Sequence, residues 1–388
     1  MVKNKKDNKK FRIGVNVRFL LQGKLEGIGW YTYEIFSRLV SLMPDITFVF
    51  FFDRPFDQQF IFGDNVETKV VNPPARHPLL WYIWFEKTLP KAIESENIDV
   101  FISPDGYMPG KLKVPSLLTI HDLAFEHYKN HIPWLVWKYY THYTPIFTQR
   151  ATKIIAVSKA TATDLKEKYH IPDNKISVIY NGCSTSFKPV VNARKATIRE
   201  TYTDGRPYFI FIGAFHPRKN IEGILQAFDI FRQKCKTAHK LVLVGRMAWE
   251  THSIKHTFQA MQFKEEVVFI GSAGRDLLND LLCGAEALLY PSFLEGFGLP
   301  LVEAMYCEVP IITSNVSCMP EVAGKAALLV NPTSIEEIAQ AMQTIAENKN
   351  AGQALVEEGK KIRNRFNWDD AALKWKDEIW ALLTEIQC

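Results

Sequence analysis

The segment YPSFLEGFGLPLVEAMYCEVPIITS, residues 290–314, decides the fold of its part of the chain. Its two ends are short apolar runs that predict β-strands. Between them lie a loop with two glycines and a stretch that predicts an α-helix, with Pro300 suited to the first helical position. Two strands that are joined through a helix are typical of a parallel sheet covered by helices.

The same alternation runs through the whole chain. Before residue 184 the predicted strands are FRIGVNV, ITFVFFF, TKVVN, DVFISP, SLLTIHD, KIIAVS and ISVIYN. After residue 207 they are YFIFIG, KLVLVG, VVFIG, ALLYPS, PIITS and AALLV. Nearly continuous apolar strands separated by helix-length segments predict an α/β protein with two doubly wound parallel sheets.

The length of 388 residues favours two domains of roughly 150 to 200 residues each. The series of strands is interrupted at residues 184–207, a stretch rich in charge with two prolines. We therefore predict a first domain over residues 1–190 and a second over residues 191–367. The end of the chain predicts a helix with an apolar stripe, formed by Trp368, Leu373, Trp375, Ile379 and Leu382.

Charge is unevenly distributed along the chain. Residues 1–190 contain 25 Lys and Arg against 18 Asp and Glu, whereas the rest contains 22 against 24. The basic excess indicates an acidic partner of the first half, such as a phosphorylated lipid or an anionic membrane surface. A solvated basic face with a charged tail is the alternative, because six of these cations lie in the first twelve positions.

Composition narrows the class of protein. The chain is 47% hydrophobic and 23% charged, as in a folded enzyme, and its apolar runs are far shorter than the roughly 20 residues of a spanning helix. Six cysteines form no C-x-x-C pair and no metal-ligand spacing, which favours reduced thiols in the cytoplasm. We expect no transmembrane helix, no metal site and no nucleic acid partner.

Two glutamates bracket the glycine-rich loop of the opening segment. Ligands of open α/β sheets bind at the carboxyl ends of the strands, and a helix start offers N–H groups to an anion. We expect Glu303, in the first helical turn, to accept hydrogen bonds from a ribose, and Glu295 to face another part of the same ligand. The alternative is that Glu303 only complements the helix dipole and Glu295 is a solvated charge.

The segment FIGAFHPRKNI provides a second anion-directed loop in the same domain. Gly213 ends a predicted strand, where a glycine lets backbone approach a ligand closely. Arg218 and Lys219 follow, and such a pair suits a diphosphate because Arg binds it as a fork and Lys as a point charge. A solvated Arg-Lys pair is the alternative, although two such loops in one domain favour binding.

The first half has weaker signals of the same kind. Gly27 and Gly29 in LEGIGWYTYEI open a predicted helix after a strand, where backbone can approach a phosphate, but they do not form a G-x-G-x-x-G fingerprint. His121 and Asp122 end the strand in LLTIHDL, and His121 can hydrogen-bond a substrate hydroxyl. Because the chain has ten histidines, a structural role for His121 is the alternative.

Together these segments resemble the retaining glycosyltransferases of family 4, which have the GT-B architecture. The matching segments occur in the order of that family from residue 12 to about residue 330: GIGWYTYEI, IHDL, AVSKATATDL, VIYNG, IGAFHPRKNI, LVLVG, YPSFLEGFGLPLVEAM and MPEVAG. The resemblance implies two Rossmann-like domains that face each other across a cleft. It also implies that the last helix, about residues 368–388, packs back on the first domain.

The resemblance assigns roles to individual residues. Glu303 would bind the donor ribose, Glu295 the transferred sugar, and the pair at 218 and 219 the diphosphate. The other implied donor contacts are Gly27 and Gly29 with the phosphate, His121 with the sugar, backbone at Gly298 and Leu299 near sugar and diphosphate, and Asn181 and Ser158 along the cleft. Two positions depart from the family pattern: Trp30 replaces a polar or basic residue, and Glu308 replaces a glycine. Trp30 puts the acceptor in doubt, whereas Glu308 should change only local backbone.

The function implied is transfer of a sugar from a nucleotide diphosphate to a hydroxyl of a glycan or lipid-linked acceptor, in polysaccharide or cell-surface glycan synthesis. GDP-mannose is the first expectation for the donor and a UDP-sugar the second. No cofactor is expected, and because the chain contains no Asp-x-Asp motif we expect turnover without a metal. A nucleotide-sugar 2-epimerase of the same fold is the rival enzyme; a catalytically silent binding subunit is disfavoured because all four charged residues are present.

Two aromatic-rich stretches lie in the basic half, HPLLWYIWFEKTLPKAI and HIPWLVWKYYTHYTPIF. Trp and Tyr beside Lys suit a membrane interface or sugar stacking, and packing in the core is the alternative. We therefore expect a cytoplasmic enzyme that associates peripherally with the inner face of an anionic membrane.

Overall fold

The computed structural model describes residues 10–235, 237–246 and 252–387. The strands are β1 (Arg12–Asn16), β2 (Thr47–Phe52), β3 (Val66–Val70), β4 (Val100–Ser103), β5 (Ser116–Ile120), β6 (Lys153–Ala156), β7 (Ile176–Val178), β8 (Tyr208–Ile212), β9 (Lys240–Val244), β10 (Val267–Ile270), β11 (Ala287–Tyr290), β12 (Ile311–Ser314) and β13 (Ala327–Val330). The α-helices are α1 (Gly27–Leu42), α2 (Pro78–Ile83), α3 (Leu89–Ser95), α4 (Ala124–His127), α5 (Trp134–Arg150), α6 (Lys159–Tyr169), α7 (Asn192–Thr203), α8 (Ile221–Lys234), α9 (His252–Ala260), α10 (Arg275–Gly284), α11 (Leu299–Tyr306), α12 (Met319–Ala323), α13 (Ile335–Glu347), α14 (Lys349–Ile362) and α15 (Trp368–Gln387). A π-helical turn, Trp84–Thr88, joins α2 to α3.

The chain divides into two compact units. The first contains the residues up to Tyr180 together with those from Trp368 onward, and the second contains Asn181–Asn367. This division falls earlier in the chain than residue 190. The reason is that the segment after Tyr180 bonds to α10 of the second unit: Lys188 N donates to Asn279 Oδ1 at 2.9 Å, and Ser184 Oγ accepts a hydrogen bond from Arg275 of the same helix.

Each unit is built on one parallel sheet. The first sheet has the order β3-β2-β1-β4-β5-β6-β7 and the second the order β10-β9-β8-β11-β12-β13. All the strand pairs are parallel. Central strands such as Thr47–Phe52 and Tyr208–Ile212 are buried along their whole length, because helices cover both faces of each sheet. The predicted α/β class and every predicted strand are confirmed.

The last helix, α15, packs against α1 within the first unit. Trp375 Nε1 donates to Tyr31 Oη at 3.1 Å, and its ring meets Phe36 edge to face. The predicted apolar stripe is buried at Trp368, Trp375, Ile379 and Leu382. The prediction is wrong for Leu373, which is 46% exposed. A residue two positions before Trp375 lies on the opposite side of the helix.

Two negative findings concern the described part of the chain. None of its helices combines the length and the apolar character that are needed to cross a bilayer. Within these same residues, no three or more His, Cys, Asp or Glu side chains are grouped as ligands for a metal ion.

Candidate active site

The loops of the second unit that carry the predicted residues start from neighbouring strands. In its sheet the strand order reverses between β8 and β11, which makes the carboxyl ends of these two strands the expected ligand edge. Phe293 N, in the loop after β11, donates to the carbonyl oxygen of Arg218 at 2.8 Å. Asn220 Nδ2 donates to the carbonyl oxygen of Pro291 at 3.1 Å. The two loops are therefore held to each other by one backbone hydrogen bond and one bond from a side-chain amide.

Three of the predicted side chains meet at this edge. Arg218 Nη1 lies 3.1 Å from Glu295 Oε2 and also donates to the carbonyl oxygen of Leu294 at 3.2 Å. Lys219 Nζ pairs with Glu295 Oε1 and contacts the hydroxyl of Tyr290, the last residue of β11. Glu295 is only 7% exposed. The site therefore combines one buried carboxylate with two cations at the rim of the sheet.

The electrostatics of Glu295 follow from this arrangement. Burial by itself raises the pKa of a carboxyl group, but the adjacent charges of Arg218 and Lys219 more than offset it, so that the net pKa of Glu295 is lowered. Burial, together with the Glu295 charge, raises the pKa of the Tyr290 hydroxyl well above its ordinary value. Glu295 is thus ionised and Tyr290 protonated at neutral pH, and Tyr290 Oη donates to Glu295 Oε1 at 3.3 Å.

The backbone of Glu295 is held by two residues of the loop after β12. Its N–H donates to Ser317 Oγ at 3.2 Å, and its carbonyl oxygen accepts from Ser317 Oγ at 2.7 Å and from Cys318 Sγ at 3.1 Å. These three hydrogen bonds hold the backbone of Glu295 in place beneath its side chain. The sequence alone does not point to Ser317, because it comes from the next loop, after β12, and only the fold brings it here.

Glu303 lies in the second turn of α11, not in the first as predicted. The helix begins at Leu299, one residue before the predicted start, so Glu303 is its fifth residue. Burial raises the pKa of Glu303 to about 7, and the charge of Arg275 opposes this shift only in part. An acid with such a pKa exchanges its proton near neutral pH and is suited to bind hydroxyl groups as acceptor.

Two predicted glycines have conformations that other residues rarely adopt. Gly298, which precedes α11, has φ +84°, and a Cβ atom there would lie 2.8 Å from Met319 Cε. Gly213, directly after β8, has φ +150° and its N–H donates to the carbonyl oxygen of Val244 at 2.9 Å. Glycine is therefore required at both loop positions by backbone geometry, whatever ligand the loops hold. The contacts predicted for Gly213, Gly298 and Leu299 with a donor stay predictions.

The first unit has a cavity of about 430 Å³ at the corresponding edge of its own sheet. Its walls include the loops after β1, β4 and β5. The strand order of the first sheet reverses between β1 and β4, as it does between β8 and β11 in the second. His121 lines it, with Nε2 2.8 Å from the carbonyl oxygen of Pro104. Burial lowers the pKa of His121, although this hydrogen bond and nearby carboxylates oppose the shift. The imidazole is thus neutral at pH 7, and the Nε2 contact assigns Nδ1 as an acceptor.

The cavity also contains paired charges that the sequence analysis does not predict. Arg18 Nε lies 2.5 Å from Asp105 Oδ2 in a pair that is almost fully buried, and the guanidinium lies over the rings of Phe19 and Tyr107. Arg54, a further lining residue, forms an ion pair with a buried aspartate. Their position in the sequence could have indicated this pair, because Arg18 and Asp105 each come directly after an apolar run that predicts a strand.

Four further residues that were predicted to contact the donor lie at helix starts or in the buried interior. Gly27 is the first residue of α1 with open space at its Cβ position, and a Cβ on Gly29 would lie 2.7 Å from the carbonyl oxygen of Phe19. Ser158 is buried and caps α6, because its Oγ accepts from Thr161 N at 3.1 Å. Asn181 is buried, and its Oδ1 has no hydrogen-bond partner among the described residues. Their proposed contacts with a ligand stay predictions.

The two departures from the family pattern have different surroundings. Trp30 is half-buried on α1 and meets Tyr33 edge to face. Glu308 follows α11 with φ +58°, the left-handed conformation that glycine adopts most easily. Its carboxylate pairs with Lys360 at 3.1 Å and Arg363 at 3.3 Å. The backbone here therefore has the form that suits the usual glycine.

Comparison with known proteins gives this geometry its context. The family described as Glycosyltransferase Family 4 matches residues 25–187, and the family described as Glycosyl transferases group 1 matches residues 194–362. The two matches together span most of the chain. The protein therefore belongs to the group 1, family 4 glycosyltransferases, as the resemblance of its motifs predicted.

Individual relatives agree with this assignment. O-antigen chain mannosyltransferase B of Escherichia coli is 25% identical over 362 residues, which cover 89% of this chain and 93% of the relative. Sucrose-phosphate synthase of Thermosynechococcus elongatus superposes with a TM-score of 0.77 at 17% identity, over 97% of this chain and 100% of that one. Anabaena HepE in complex with UDP-glucose superposes with a TM-score of 0.74 at 16% identity, over 95% and 99%. These likenesses confirm the GT-B fold.

Proposed function

We propose that this glycosyltransferase moves a sugar from a nucleotide diphosphate onto a hydroxyl of a glycan or lipid-linked acceptor, with retention of configuration at the anomeric carbon. The donor proposed first is GDP-mannose, with mannose as the transferred sugar, because the similar protein from Escherichia coli is a mannosyltransferase. A UDP-sugar is the alternative donor, since HepE of the same fold is known in complex with UDP-glucose. The product belongs to a polysaccharide or cell-surface glycan made on the cytoplasmic side of the membrane.

The observation that carries this proposal is the contact of Arg218 and Lys219 with Glu295 at the β8/β11 edge. When the bond between the sugar and the diphosphate breaks, its electron pair stays on the diphosphate, and positive charge develops on the sugar ring. Two cations at a strand end suit the first charge and a buried carboxylate suits the second. In this proposal the cluster is divided on binding, with the cations on the diphosphate and Glu295 at the sugar.

The remaining residues complete the donor site in this proposal. Glu303 accepts hydrogen bonds from the ribose hydroxyls, and its pKa of about 7 favours a group that exchanges its proton during binding. His121 is neutral, and in this proposal its Nδ1 accepts a hydrogen bond from a sugar hydroxyl. The acceptor oxygen forms the new bond to the anomeric carbon, the nucleoside diphosphate leaves, and the acceptor proton is released. No side chain forms a covalent intermediate.

We also propose that turnover does not need a divalent metal, because Arg218 and Lys219 supply the positive charge that a metal would otherwise bring to the diphosphate. The test is turnover in the presence of EDTA. Full activity is expected; activity that disappears with EDTA and returns with magnesium would refute this part of the proposal.

The transferase reaction is tested by incubating the purified protein with GDP-mannose or UDP-glucose, with and without a glycan acceptor, and by NMR of the product. The proposal predicts release of nucleoside diphosphate that depends on the acceptor, and an anomeric configuration equal to that of the donor. An epimerised nucleotide sugar formed without any acceptor would instead identify a 2-epimerase. Inversion at the anomeric carbon would contradict the retaining mechanism.

A further inference from the structure

Two helices of the first unit have an outer surface that nothing in the described structure covers. In α2, Leu79 and Tyr82 lie one turn apart, and Leu79 is 64% exposed. In α5, Trp134 is 64% and Leu135 46% exposed, and Lys138 follows one turn later. These five residues define the α2–α5 face. Four of the twelve exposed large apolar side chains of the described residues lie on it.

The inner sides of the same helices account for the rest of their aromatic residues. Trp81 of α2 stacks parallel to Tyr140 of α5 and meets Tyr139 edge to face. Packing in the core, the alternative given for the aromatic stretches in the sequence analysis, therefore holds for these inner residues, but it does not explain Leu79 or Trp134. A groove of about 690 Å³ runs between the helices on the outer side.

Charge distinguishes this face from an ordinary exposed apolar patch. Residues 76–91 and 129–150 together contain six Lys and Arg residues and one carboxylate. That carboxylate, Glu86, is half-buried and accepts a hydrogen bond from Gly110 N at 2.8 Å. Lys138 Nζ lies 4.2 Å from the centre of the Trp134 ring, and Lys87 Nζ lies 5.9 Å from that of Tyr82. Apolar tips bordered by cations match the interface of a bilayer with anionic headgroups.

The face also lies beside the cavity that contains His121. Trp81, Tyr140 and Thr144 line that cavity, while their neighbours Tyr82, Tyr139 and Tyr143 line the outer groove. The two helices are thus the wall between the groove and the cavity. An acceptor whose lipid is held in a bilayer under this face would have its glycan at the level of the cavity.

We infer that the α2–α5 face docks the enzyme on an anionic lipid bilayer, with Leu79, Trp134 and Leu135 inserted at the headgroup level and Lys87 and Lys138 on the headgroups. The delivery of a lipid-linked acceptor rests on the proposed transferase function. Binding to the bilayer does not, and it requires no nucleotide sugar. Each lysine should contribute roughly fivefold to the partition onto an anionic surface.

Flotation of the full chain with vesicles tests this inference. Vesicles of phosphatidylcholine, with and without phosphatidylglycerol, are mixed with the wild type, with L79S/W134S/L135S and with K87Q/K138Q. The wild type should float with the anionic vesicles, the triple variant should remain at the bottom, and K87Q/K138Q should partition about 25-fold less, with the difference lost at high salt. V191S and L373S, at exposed apolar positions elsewhere, are matched controls that should float like the wild type.

Several outcomes would overturn the inference. Wild type that stays at the bottom with both kinds of vesicle, or a triple variant that floats as the wild type does, contradicts it. Wild type that dimerises without lipid and a triple variant that is monomeric, with equal flotation of both, would assign the face to a second copy of the chain. Circular dichroism and thermal unfolding of each variant, measured without vesicles, check that the variants are folded.

The failure of this inference and that of the proposed function can be told apart. Transfer to a water-soluble glycan should be the same for the wild type and the triple variant, and transfer to an acceptor in anionic vesicles should fall at least as far as flotation does. Protein that transfers the sugar but never floats would overturn only the docking face. Protein that floats but transfers no sugar would overturn only the transferase function.

Discussion

The candidate ligand sites at the β8/β11 edge of the second unit and the β1/β4 edge of the first unit differ in charge. In the second unit Arg218 and Lys219 share one carboxylate, so the cluster has an excess of positive charge at the ends of β8 and β11. In the first unit Arg18 and Asp105 neutralise each other inside an aromatic cavity. Unbalanced charge at a strand end suits an anionic ligand, whereas a balanced pair leaves no net charge in the cavity and suits a less charged one.

The largest effect is expected from removing either cation of the second unit. R218A and K219A should each lower kcat/KM by on the order of 10²-fold or more, because each removes charge stabilisation from the departing diphosphate. One cation remains with Glu295 in each variant, which keeps the buried carboxylate paired. Steady-state kinetics measure the effect. R194A, which removes a surface ion pair with Asp280, is the control and should behave like the wild type.

Breaking the buried pair of the first unit should affect stability more than nucleotide binding. D105A should lower the free energy of unfolding by about 3–5 kcal/mol, since it leaves the Arg18 guanidinium buried without its partner. R18M/D105A should recover much of this loss, because neither charge then remains. Urea unfolding measures both variants. A D105A protein as stable as the wild type would show that the pair does not hold the fold together.

Replacing Glu295 should separate binding from transfer. E295Q should lower the rate of transfer by about 10- to 100-fold, the loss expected for one charge-assisted hydrogen bond. The same change removes the carboxylate that competes for Arg218 and Lys219, so the nucleoside diphosphate should bind as tightly as before or more tightly. Calorimetric titration with GDP and UDP measures this. Weaker nucleotide binding by E295Q would mean that Glu295 contacts the nucleotide itself.

Glu303 should make nucleotide binding depend on pH. Its pKa in the folded protein, about 7, lies above the ordinary carboxyl value, so the unliganded protein loses stability as the pH rises toward and through 7. A ribose that binds the ionised carboxylate should therefore bind more tightly at pH 8 than at pH 6, by up to about tenfold. E303Q should remove this dependence, and E336Q, at an exposed carboxylate, should keep it. A pH-independent Kd for the wild type would contradict the ribose contact.

The smallest effect is expected at Glu308, outside both edges. E308G should change the free energy of unfolding by less than about 1 kcal/mol, because relief of the left-handed backbone offsets the loss of the ion pairs with Lys360 and Arg363. E308A loses the same ion pairs but keeps the unfavourable backbone. Urea unfolding should therefore find E308A less stable than E308G, and the opposite order would exclude the backbone argument.

The sequence predicted the fold well. Buried parallel strands are continuous apolar runs, and strands that alternate with helices along the chain are compatible with few other topologies. It predicted the second unit's cluster for a related reason: Arg218 and Lys219 follow one strand, Glu295 follows another, and the strands proved to be neighbours. Local sequence thus contained both the charges and their position.

What the sequence could not provide depends on contacts between distant segments. The boundary after Tyr180 follows from hydrogen bonds between Lys188 and α10, which lies some ninety positions later in the chain. The Arg18–Asp105 pair likewise joins two loops that only the sheet order brings together. The exposed side of α5 could not be predicted for a third reason. Trp134 and Tyr139 are both aromatic residues of one helix, and the sequence does not tell which of them faces solvent and which faces the core.

The central claim is that the edge formed by β8 and β11 binds the diphosphate of the donor without a metal. A thermal-shift titration in EDTA with GDP, UDP, GDP-mannose and UDP-glucose tests it most directly, on the wild type, R218A and R194A. A ligand at 100 times its Kd should stabilise the wild type by about 2.7 kcal/mol. The account predicts such a shift with the nucleotides of one base, kept in R194A and lost in R218A. An equal shift in R218A, or a shift in the wild type only after magnesium is added, would contradict it.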